Sequence, residues 1–332
     1  MIACLYLEDF GIKLPGGIWT AWKTQVAALQ AAGVSVVTDP SKPHDILHLY
    51  VPFLRSRYLA EKYHRQGRPI ITHIHMTAED FRNSFVGSNL IAPFFRLWLK
   101  SFYKKGDAIL TPTEYTRKLA AKNYNLPIDK IIAVSNGINF KEFSPDETIR
   151  DKYRDSFKMN GVSVLSLGWV FPRKGIYTFI DAAKKFPKTK FFWFGQMAPK
   201  GLTHLPRPID PPVNAKFPGR IDDARGAMNA GDIFFFPSYE ENQGIVVLEA
   251  AANGKAILLR DIPVFDDWMF HGKNCLKAKT DEEFCDYLEQ LISDKKLRER
   301  LGMAARRTAQ EHDLKNVGEK LKRIYERTMD GR

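Results

Sequence analysis

The chain has 332 residues, 44% of them hydrophobic, and carries a net charge of +12 at pH 7. This length exceeds one ordinary domain and predicts two domains of about 150 residues, each with enough apolar residues for a buried core. The composition excludes a low-complexity chain, and no apolar run approaches the roughly 18 residues that a bilayer-spanning helix needs.

Strands and helices alternate along the chain in two successive series. The first series of predicted strands comprises residues 2–7, 34–37, 45–51, 69–74, 108–111 and 131–135, with helical patterns at 19–32 and 116–124. The second series comprises residues 162–167, 190–194, 232–236 and 256–259. Because alternating β and α units build parallel sheets covered on both faces, we expect an α/β protein with two Rossmann-like domains facing each other across a cleft.

The segment between the two series, residues 140–159, is charged, contains Pro145 and is predicted to be a linker. Residues 314–329 have the apolar spacing of one amphipathic helix. We therefore expect an N-terminal domain at 1–150, a C-terminal domain at 151–312, and a terminal helix within 313–332 that packs back on the N-terminal domain.

The most informative motif is a polar turn after the predicted strand 232–236. Two carboxylates, Glu241 and Glu249, are separated by seven residues, and a helix of small residues is predicted to open at Gly244. The free N–H groups and positive dipole end of that helix favour a phosphate or another anion. The carboxylates accept hydrogen bonds only from neutral hydroxyls or cations. An anion receptor beside hydroxyl acceptors is what a sugar nucleotide requires.

Three further clusters follow predicted strands, where ligands of open α/β sheets bind. Gly16 and Gly17 precede the first helix and let the backbone approach a phosphate, although a plain strand-to-helix turn is the commoner reason for paired glycines. Arg173 and Lys174, bounded by proline and glycine, form a candidate diphosphate clamp. The third cluster, residues 72–80, contains His73 and His75, whose side chains are predicted to point to the same side of a strand.

Together these motifs resemble the retaining glycosyltransferases of family 4, which have the GT-B fold. The Gly-Gly loop, the Arg/Lys pair, the Glu-x7-Glu motif and Asn136-Gly137-Ile138 occur in the family's order along nearly the whole chain. Asn242-Gln243 departs from the Gly-Phe of many members. Trp169 departs from their Arg, which leaves the clamp to Arg173 and Lys174.

The resemblance implies a role for each motif residue. Glu241 would accept hydrogen bonds from the donor hexose, and Glu249 would hold the ribose hydroxyls. Arg173 and Lys174 would neutralise the departing UDP, the main electrostatic task, so we expect neither a metal nor another cofactor. His75 would lie beside the reacting sugar. The backbone amides that would hold sugar and phosphate are those of Asn242, Gln243, Gly244 and Ile245.

The expected mechanism is front-face substitution with retention of the anomeric configuration. The acceptor hydroxyl attacks from the leaving-group side, and a donor phosphate oxygen takes its proton. His48 and His73 are interpreted as structural imidazoles, and Glu240 is the alternative to Glu241 as the sugar contact.

Residues 5–8, 73–85 and 240–249 are most similar to the short bacterial diglycosyldiacylglycerol synthases of this family. Those enzymes add a second hexose to monoglucosyldiacylglycerol in bacterial membranes. The similarity implies a UDP-hexose donor, with glucose favoured over galactose, and a glycosyl-diacylglycerol acceptor. It also implies a cytoplasmic, peripheral enzyme on the inner face of the cell membrane.

The positive charge is concentrated in residues 51–130, which hold 14 Lys/Arg against 6 Asp/Glu. Such a patch attracts an anionic surface. Within it, residues 88–105 have a basic helical stripe comprising Arg96, Lys100 and Lys104. The opposite stripe comprises Ile91, Phe94, Phe95, Trp98 and Phe102. This pattern fits an interfacial membrane helix and equally a helix packed on its own sheet. A second basic stretch comprises Arg55, Arg57, Lys62, Arg65 and Arg68.

Other functions fit parts of the sequence. A family 4 enzyme with a polysaccharide or small-molecule acceptor would share every donor-site residue. A sugar-nucleotide epimerase of GT-B shape is disfavoured by the Glu-x7-Glu pattern. A nucleic-acid-binding protein would explain the charge, but no helix-turn-helix, aromatic RNA-binding motif or zinc spacing is present, so we expect no nucleic-acid partner.

The sequence contains further acidic and cysteine residues that a metal site would use. Asp222-Asp223 and Asp266-Asp267 are interpreted as a helix start and a turn. Cys4, Cys275 and Cys285 lack metal-ligand spacing and are expected to be reduced thiols.

Overall fold

The computed structural model describes residues 1–8, 16–197, 201, 203, 205–221 and 223–331. Within them, two six-stranded sheets follow one another along the chain, and every strand pair is parallel. The first sheet contains β1 (Ile2–Tyr6), β2 (Ser35–Val37), β3 (Ile46–Leu49), β4 (Ile70–His73), β5 (Ala108–Thr111) and β6 (Ile131–Ala133). The second contains β7 (Ser163–Leu167), β8 (Lys190–Phe194), β9 (Ala215–Gly219), β10 (Ile233–Phe236), β11 (Ala256–Arg260) and β12 (Leu276–Ala278).

Helices cover both sheets. They are α1 (Gly17–Ala31), α2 (Leu54–Arg65), α3 (Ala78–Phe81), α4 (Ser88–Tyr103), α5 (Glu114–Tyr124), α6 (Glu147–Phe157), α7 (Ile176–Lys185), α8 (Ala224–Ala230), α9 (Ile245–Ala252), α10 (Asp281–Ser293), α11 (Lys295–Glu311) and α12 (Leu314–Asp330). Single turns of 3-10 helix lie at Ile128–Lys130, Pro172–Lys174 and Pro263–Phe265. The predicted α/β class and parallel sheets are confirmed.

The ten predicted strands are confirmed to within two residues at each end. The sequence missed β9 and β12, which occupy the two edges of the second sheet. The sequence of β9 contains Pro218 and Gly219, residues that weaken a strand pattern and are tolerated at edges. The other missed strand, β12, has only three residues.

Strand order reverses once in each sheet, which opens a crevice for ligands at the carboxyl ends of the strands. The first sheet has the order β2-β1-β3-β4-β5-β6, with the reversal beside β1 and β3. The second has the order β12-β11-β10-β7-β8-β9, with the reversal between β10 and β7. The Gly16-Gly17 segment follows β1. The predicted clamp follows β7, and the Glu-x7-Glu turn follows β10.

The predicted linker is wrong over Glu147–Phe157, which form α6. Asp146 caps this helix by accepting a hydrogen bond from the backbone N–H of Ile149. The helix packs on α8 so closely that a Cβ at Gly226 would collide with the Tyr153 ring. The predicted boundary between residues 150 and 151 therefore falls inside a helix that lies with the second sheet.

The terminal helix α12 crosses back to the first sheet and packs on α1. Its buried face consists of Val317, Leu321, Ile324 and Tyr325. At Gly318 the two helices approach so closely that a Cβ would lie 2.0 Å from the Ala28 carbonyl oxygen. The chain thus crosses between the two sheets twice, before α6 and before α12.

Candidate active site

The polar turn after β10 ends at a helix N-terminus, as the sequence predicts. Gly244 caps α9 with φ of 77°, a left-handed conformation that favours glycine. Glu241 lies in the turn and is 8% exposed, while Glu249 lies inside the helix and is 6% exposed. The turn and helix therefore carry two nearly buried carboxylates beside free backbone N–H groups.

The predicted clamp lies against this turn because its loop and the turn follow neighbouring strands. Gly175 has φ of 83°, and a Cβ there would lie 2.4 Å from the Pro237 carbonyl oxygen, so only glycine permits this approach. The Tyr239 backbone N–H donates to the Arg173 carbonyl oxygen at 2.9 Å. Lys174 forms a hydrogen-bonded ion pair with Glu241. Arg173 donates to the Glu240 carbonyl oxygen.

The two carboxylates of the motif have opposite electrostatic surroundings. Burial of Glu241 opposes its ionisation, but the charges of Lys174 and Arg173 outweigh burial and lower its pKa. Burial of Glu249, reinforced by the negative charge of Glu142, raises its pKa to about 7. Glu249 has no side-chain hydrogen bond to any other described residue. Among the described residues, it is therefore the motif carboxylate without a hydrogen-bonding side-chain partner.

Three histidines form a buried stack on the first sheet. His48 bonds to the Tyr325 hydroxyl at 2.6 Å and to His73 at 3.2 Å, so its interpretation as a structural imidazole is confirmed. The rings of His73 and His75 are 3.8 Å apart, which confirms that both point to one side. Burial lowers the pKa of His75 to about 3, so this residue is neutral at pH 7. Its Nε2 has no hydrogen-bond partner within the described part of the chain.

Asn242 and Gln243 connect the turn to the first domain. The Asn242 carbonyl oxygen accepts from the hydroxyls of Thr113 and Thr116 at 3.0 and 3.2 Å. The side-chain amide nitrogen of Asn242 donates to the His75 carbonyl oxygen at 3.2 Å. Gln243 accepts from the Asn136 backbone N–H at 3.0 Å and donates to the Ser135 hydroxyl at 2.8 Å. The structure thus brings His75 and the Glu-x7-Glu turn into one cleft between the sheets.

Two contacts across the cleft involve Asp80 and Tyr115, to which the sequence assigned no role. Arg173 forms an ion pair with Asp80 at 2.7 Å. The Tyr115 hydroxyl donates to Glu240 at 3.1 Å. Burial, with the nearby charges of Asp80 and Glu241, raises the pKa of Glu240 to about 7. Asp80 follows His75 by five residues in the same strand-end segment, and this proximity is the signal that the sequence offered.

Gly16 and Gly17 start α1, and Gly16 is extended with φ of 176°. A Cβ at either position would meet no atom within 4 Å, so the fold itself does not require glycine there. Helix α1, which begins there, contacts the motif helix α9. Leu14 and Pro15, which precede Gly16 in the sequence, lie outside the described residues.

No group of three potential metal ligands occurs among the residues that the structure describes. Asp223 caps α8, which confirms a helix start there, and Asp222 lies outside the described residues. Cys4, Cys275 and Cys285 are free thiols, as predicted. The absence of a metal requirement stays a prediction.

Helix α4 separates into a buried face and an exposed face, so both interpretations of its pattern apply in part. Phe102 is buried in the core of the first domain, and Phe95 packs against that core. Arg96 pairs with Glu79 at 2.8 Å and is therefore not a free cation of the predicted basic stripe. A row of exposed apolar side chains, here named the apolar ridge, comprises Phe85, Val86, Leu90, Ile91, Phe94, Leu97 and Trp98.

A basic groove borders the ridge between α2 and α4. This cavity has a volume of about 640 Å³. The cations that line it are Arg57, Lys62, Arg65 and Lys105, and the carboxylate of Glu61 pairs with Arg65 and Lys105. Arg57 lies over the Trp98 ring at 4.0 Å and so joins the groove to the ridge. No helix in the described residues has the length and apolar character for a bilayer span.

Comparisons with known proteins agree with this architecture. The profile of the family described as Glycosyltransferase Family 4 matches residues 15–142, and that of Glycosyl transferases group 1 matches residues 148–308. The processive diacylglycerol alpha-glucosyltransferase of Acholeplasma laidlawii is 34% identical over 98% of this chain and 98% of that protein. The alpha-galactosylglucosyldiacylglycerol synthase of Streptococcus pneumoniae is 27% identical over 75% of this chain and 70% of that protein.

Two solved structures share the fold at low sequence identity. Anabaena HepE in complex with UDP-glucose has a TM-score of 0.77 and 16% identity, covering 98% of this chain and 99% of that chain. The sucrose-phosphate synthase of Thermosynechococcus elongatus has a TM-score of 0.78 and 16% identity, and the match covers 100% of both chains. Two facing parallel sheets and these likenesses confirm the predicted GT-B fold.

Proposed function

Because this chain belongs to the family 4 retaining glycosyltransferases, we propose that it transfers glucose from UDP-glucose to a glycosyl-diacylglycerol at an anionic membrane surface. The proposal rests first on the cleft, where Arg173, Lys174 and Glu241 lie beside the N-terminus of α9. Cations and free backbone N–H groups bind a diphosphate, and ionised or buried carboxylates accept hydrogen bonds from sugar hydroxyls.

Each group would act on a different part of the donor. Arg173 and Lys174 would stabilise the negative charge that develops on UDP as the glycosyl–phosphate bond breaks. Glu241, ionised because of its neighbouring cations, would orient the hexose. Glu249, which has no protein partner in the described residues, would hold the ribose. The neutral imidazole of His75 would contact the hexose near the reacting carbon.

The acceptor part of the proposal rests on the apolar ridge and the basic groove. Leu90, Phe94 and Leu97 are 79%, 73% and 65% exposed, whereas a helix packed on its own sheet would bury such residues. An exposed apolar face with adjacent cations has the composition of a membrane-surface helix. The two diacylglycerol-glycolipid relatives support the same acceptor class, and the closer identity to the glucosyltransferase favours glucose over galactose.

The decisive experiment measures transfer of labelled hexose into lipid from UDP-glucose and, separately, UDP-galactose. Micelles would contain monoglucosyldiacylglycerol, with and without phosphatidylglycerol, and no metal would be added. We expect a labelled diglycosyl lipid from UDP-glucose, and more of it with phosphatidylglycerol. UDP release into water without a lipid product would support a soluble acceptor instead, and dependence on added Mg²⁺ would contradict the metal-free clamp.

A further inference from the structure

Arg173, one of the two predicted clamp cations, is bound to the first domain. Its Nη1 lies 2.7 Å from Asp80 Oδ1, and its Nε donates to the Ser84 hydroxyl at 3.0 Å. Only 9% of the Arg173 side chain is exposed, against 28% for Asp80. Water therefore screens this ion pair less than it screens a surface pair, so the attraction is stronger.

The second clamp cation is also occupied. Lys174 pairs with Glu241, so each of the two clamp cations already faces a carboxylate. A diphosphate is multiply negative at neutral pH and needs uncompensated positive charge. One of the two carboxylates must therefore leave its cation when a nucleoside diphosphate binds.

Asp80 and Glu241 differ in how firmly the fold holds them beside their cations. Glu241 lies in the turn after β10, and the Lys174 loop is fixed against that turn by the Tyr239–Arg173 backbone hydrogen bond. Asp80 belongs to the other domain and lies on α3, a helix of four residues. Asp80 is consequently the carboxylate that can withdraw with less disturbance of the turn, which it contacts through the Asn242 amide nitrogen at 3.5 Å.

We propose that Asp80 is an internal counter-ion that holds Arg173 in the donor-free cleft and is displaced by the diphosphate of the donor. This inference rests on the proposed nucleotide-sugar donor. The planar guanidinium binds a carboxylate or a phosphate through the same N–H groups, so one partner replaces the other. Asp80 thus lowers donor affinity and keeps the clamp neutral until a donor enters.

The displaced segment leads directly into the apolar ridge. Asp80 and Ser84 precede Phe85, the first residue of the ridge, and the Phe81 ring packs on Phe95 of α4 at 4.8 Å. Release of Arg173 removes two of the contacts between this segment and the C-terminal domain. The contact of Asp80 Oδ2 with the Asn242 amide nitrogen, at 3.5 Å, is a third. Donor binding in the cleft is thereby linked to the segment beside the proposed membrane surface.

The inference is tested by calorimetric titration of UDP into wild-type protein, Asp80→Asn and Asp80→Glu. We expect Asp80→Asn to bind UDP about 3- to 10-fold more tightly, as expected for loss of a competing, partly exposed ion pair. Asp80→Glu should restore near-wild-type affinity. Glu114→Gln is the matched control, because it removes a carboxylate paired with Arg117 at 2.8 Å elsewhere in the first domain, and its UDP affinity should equal that of wild type.

The outcomes separate this inference from the function it rests on. If wild-type protein binds UDP and Asp80→Asn binds it equally or more weakly, the counter-ion is refuted while the donor assignment stands. If wild-type protein binds no UDP, both are refuted.

A second measurement needs no variant. Hydrogen exchange of residues 78–86 in wild-type protein should become faster when UDP is added, since the segment loses its contacts with Arg173. Slower or unchanged exchange would overturn the displacement.

Discussion

The two domains depart from the usual distribution of polar and apolar groups in opposite ways. The first domain exposes large apolar side chains along the ridge, whereas the second buries charged groups, with Glu241 and Glu249 less than 10% exposed. Both arrangements are unfavourable for a chain alone in water. The proposed function accounts for both: a membrane surface would cover the apolar ridge of the first domain, and a sugar nucleotide would bind the carboxylates of the second.

Polar groups connect the two domains at the motif turn. Asn242 and Gln243, where many family members have Gly-Phe, each bond to the first domain. Directional hydrogen bonds hold the motif turn in one position against His75 and Asn136.

The largest effect is expected when the buried charges of the second domain are removed. Lys174→Ala and Glu241→Ala should each reduce transfer by about 100-fold or more, because loss of one electrostatic contact to the developing charge typically costs that much. Initial rates of labelled lipid formation measure the change. Lys185→Ala is the control in the same domain, since that lysine is half-exposed and its ion pair with Asp286 is long, at 3.9 Å. A variant at 174 or 241 with near-normal turnover and an unchanged melting temperature would contradict the donor site.

A smaller effect is expected from the exposed face of the first domain. Leu90→Glu or Phe94→Glu should weaken sedimentation with phosphatidylglycerol-containing vesicles by about 10-fold or more, because each change removes roughly 2 kcal/mol of apolar burial in the membrane. UDP affinity should stay the same. Met303→Glu, which places a charge at a residue 60% exposed on the second domain, should leave vesicle binding unchanged. Equal losses in all three variants would mean that added negative charge, not the ridge, decides binding.

The smallest effect is expected on the pH dependence of the stability of the folded protein. Burial holds the pKa of Glu249 at about 7 in the folded protein, above the unfolded value near 4.3. The folded state therefore binds this proton more tightly, and the stability that it contributes at low pH is lost as pH rises from about 4 to 7. Glu249→Gln has no such proton to lose. The stability of this variant relative to wild type, measured by melting temperature, should therefore rise between pH 5 and pH 8 by the equivalent of about 1–3 kcal/mol. A difference in melting temperature that is the same at both pH values would contradict the raised pKa of the buried Glu249 carboxyl.

Local patterns were sufficient for most of the fold and for the chemistry of the site. Strands such as β10, with four consecutive apolar residues that are all buried, were predicted correctly from their local sequence. Turn geometry was equally local at Gly175 and Gly244, where positive φ requires glycine. By contrast, α6 was mistaken for a linker because its eleven residues are mostly charged and none of them is buried. Its stability depends on packing against α8 and on Arg150 and Arg154 bonding to Asp232.

The sequence by itself determined the alternation of strands and helices, and with it the two parallel sheets. It also determined the kinds of group in the cleft, because hydrophobic periodicity, glycine conformation and functional-group chemistry act over a few residues. Only the tertiary structure decided which groups meet. Asp80 and Arg173 are 93 positions apart and join across two domains, and α4 divides its apolar residues between core and solvent according to what lies beneath it. Such pairings depend on the arrangement of whole elements in space, which no local pattern encodes.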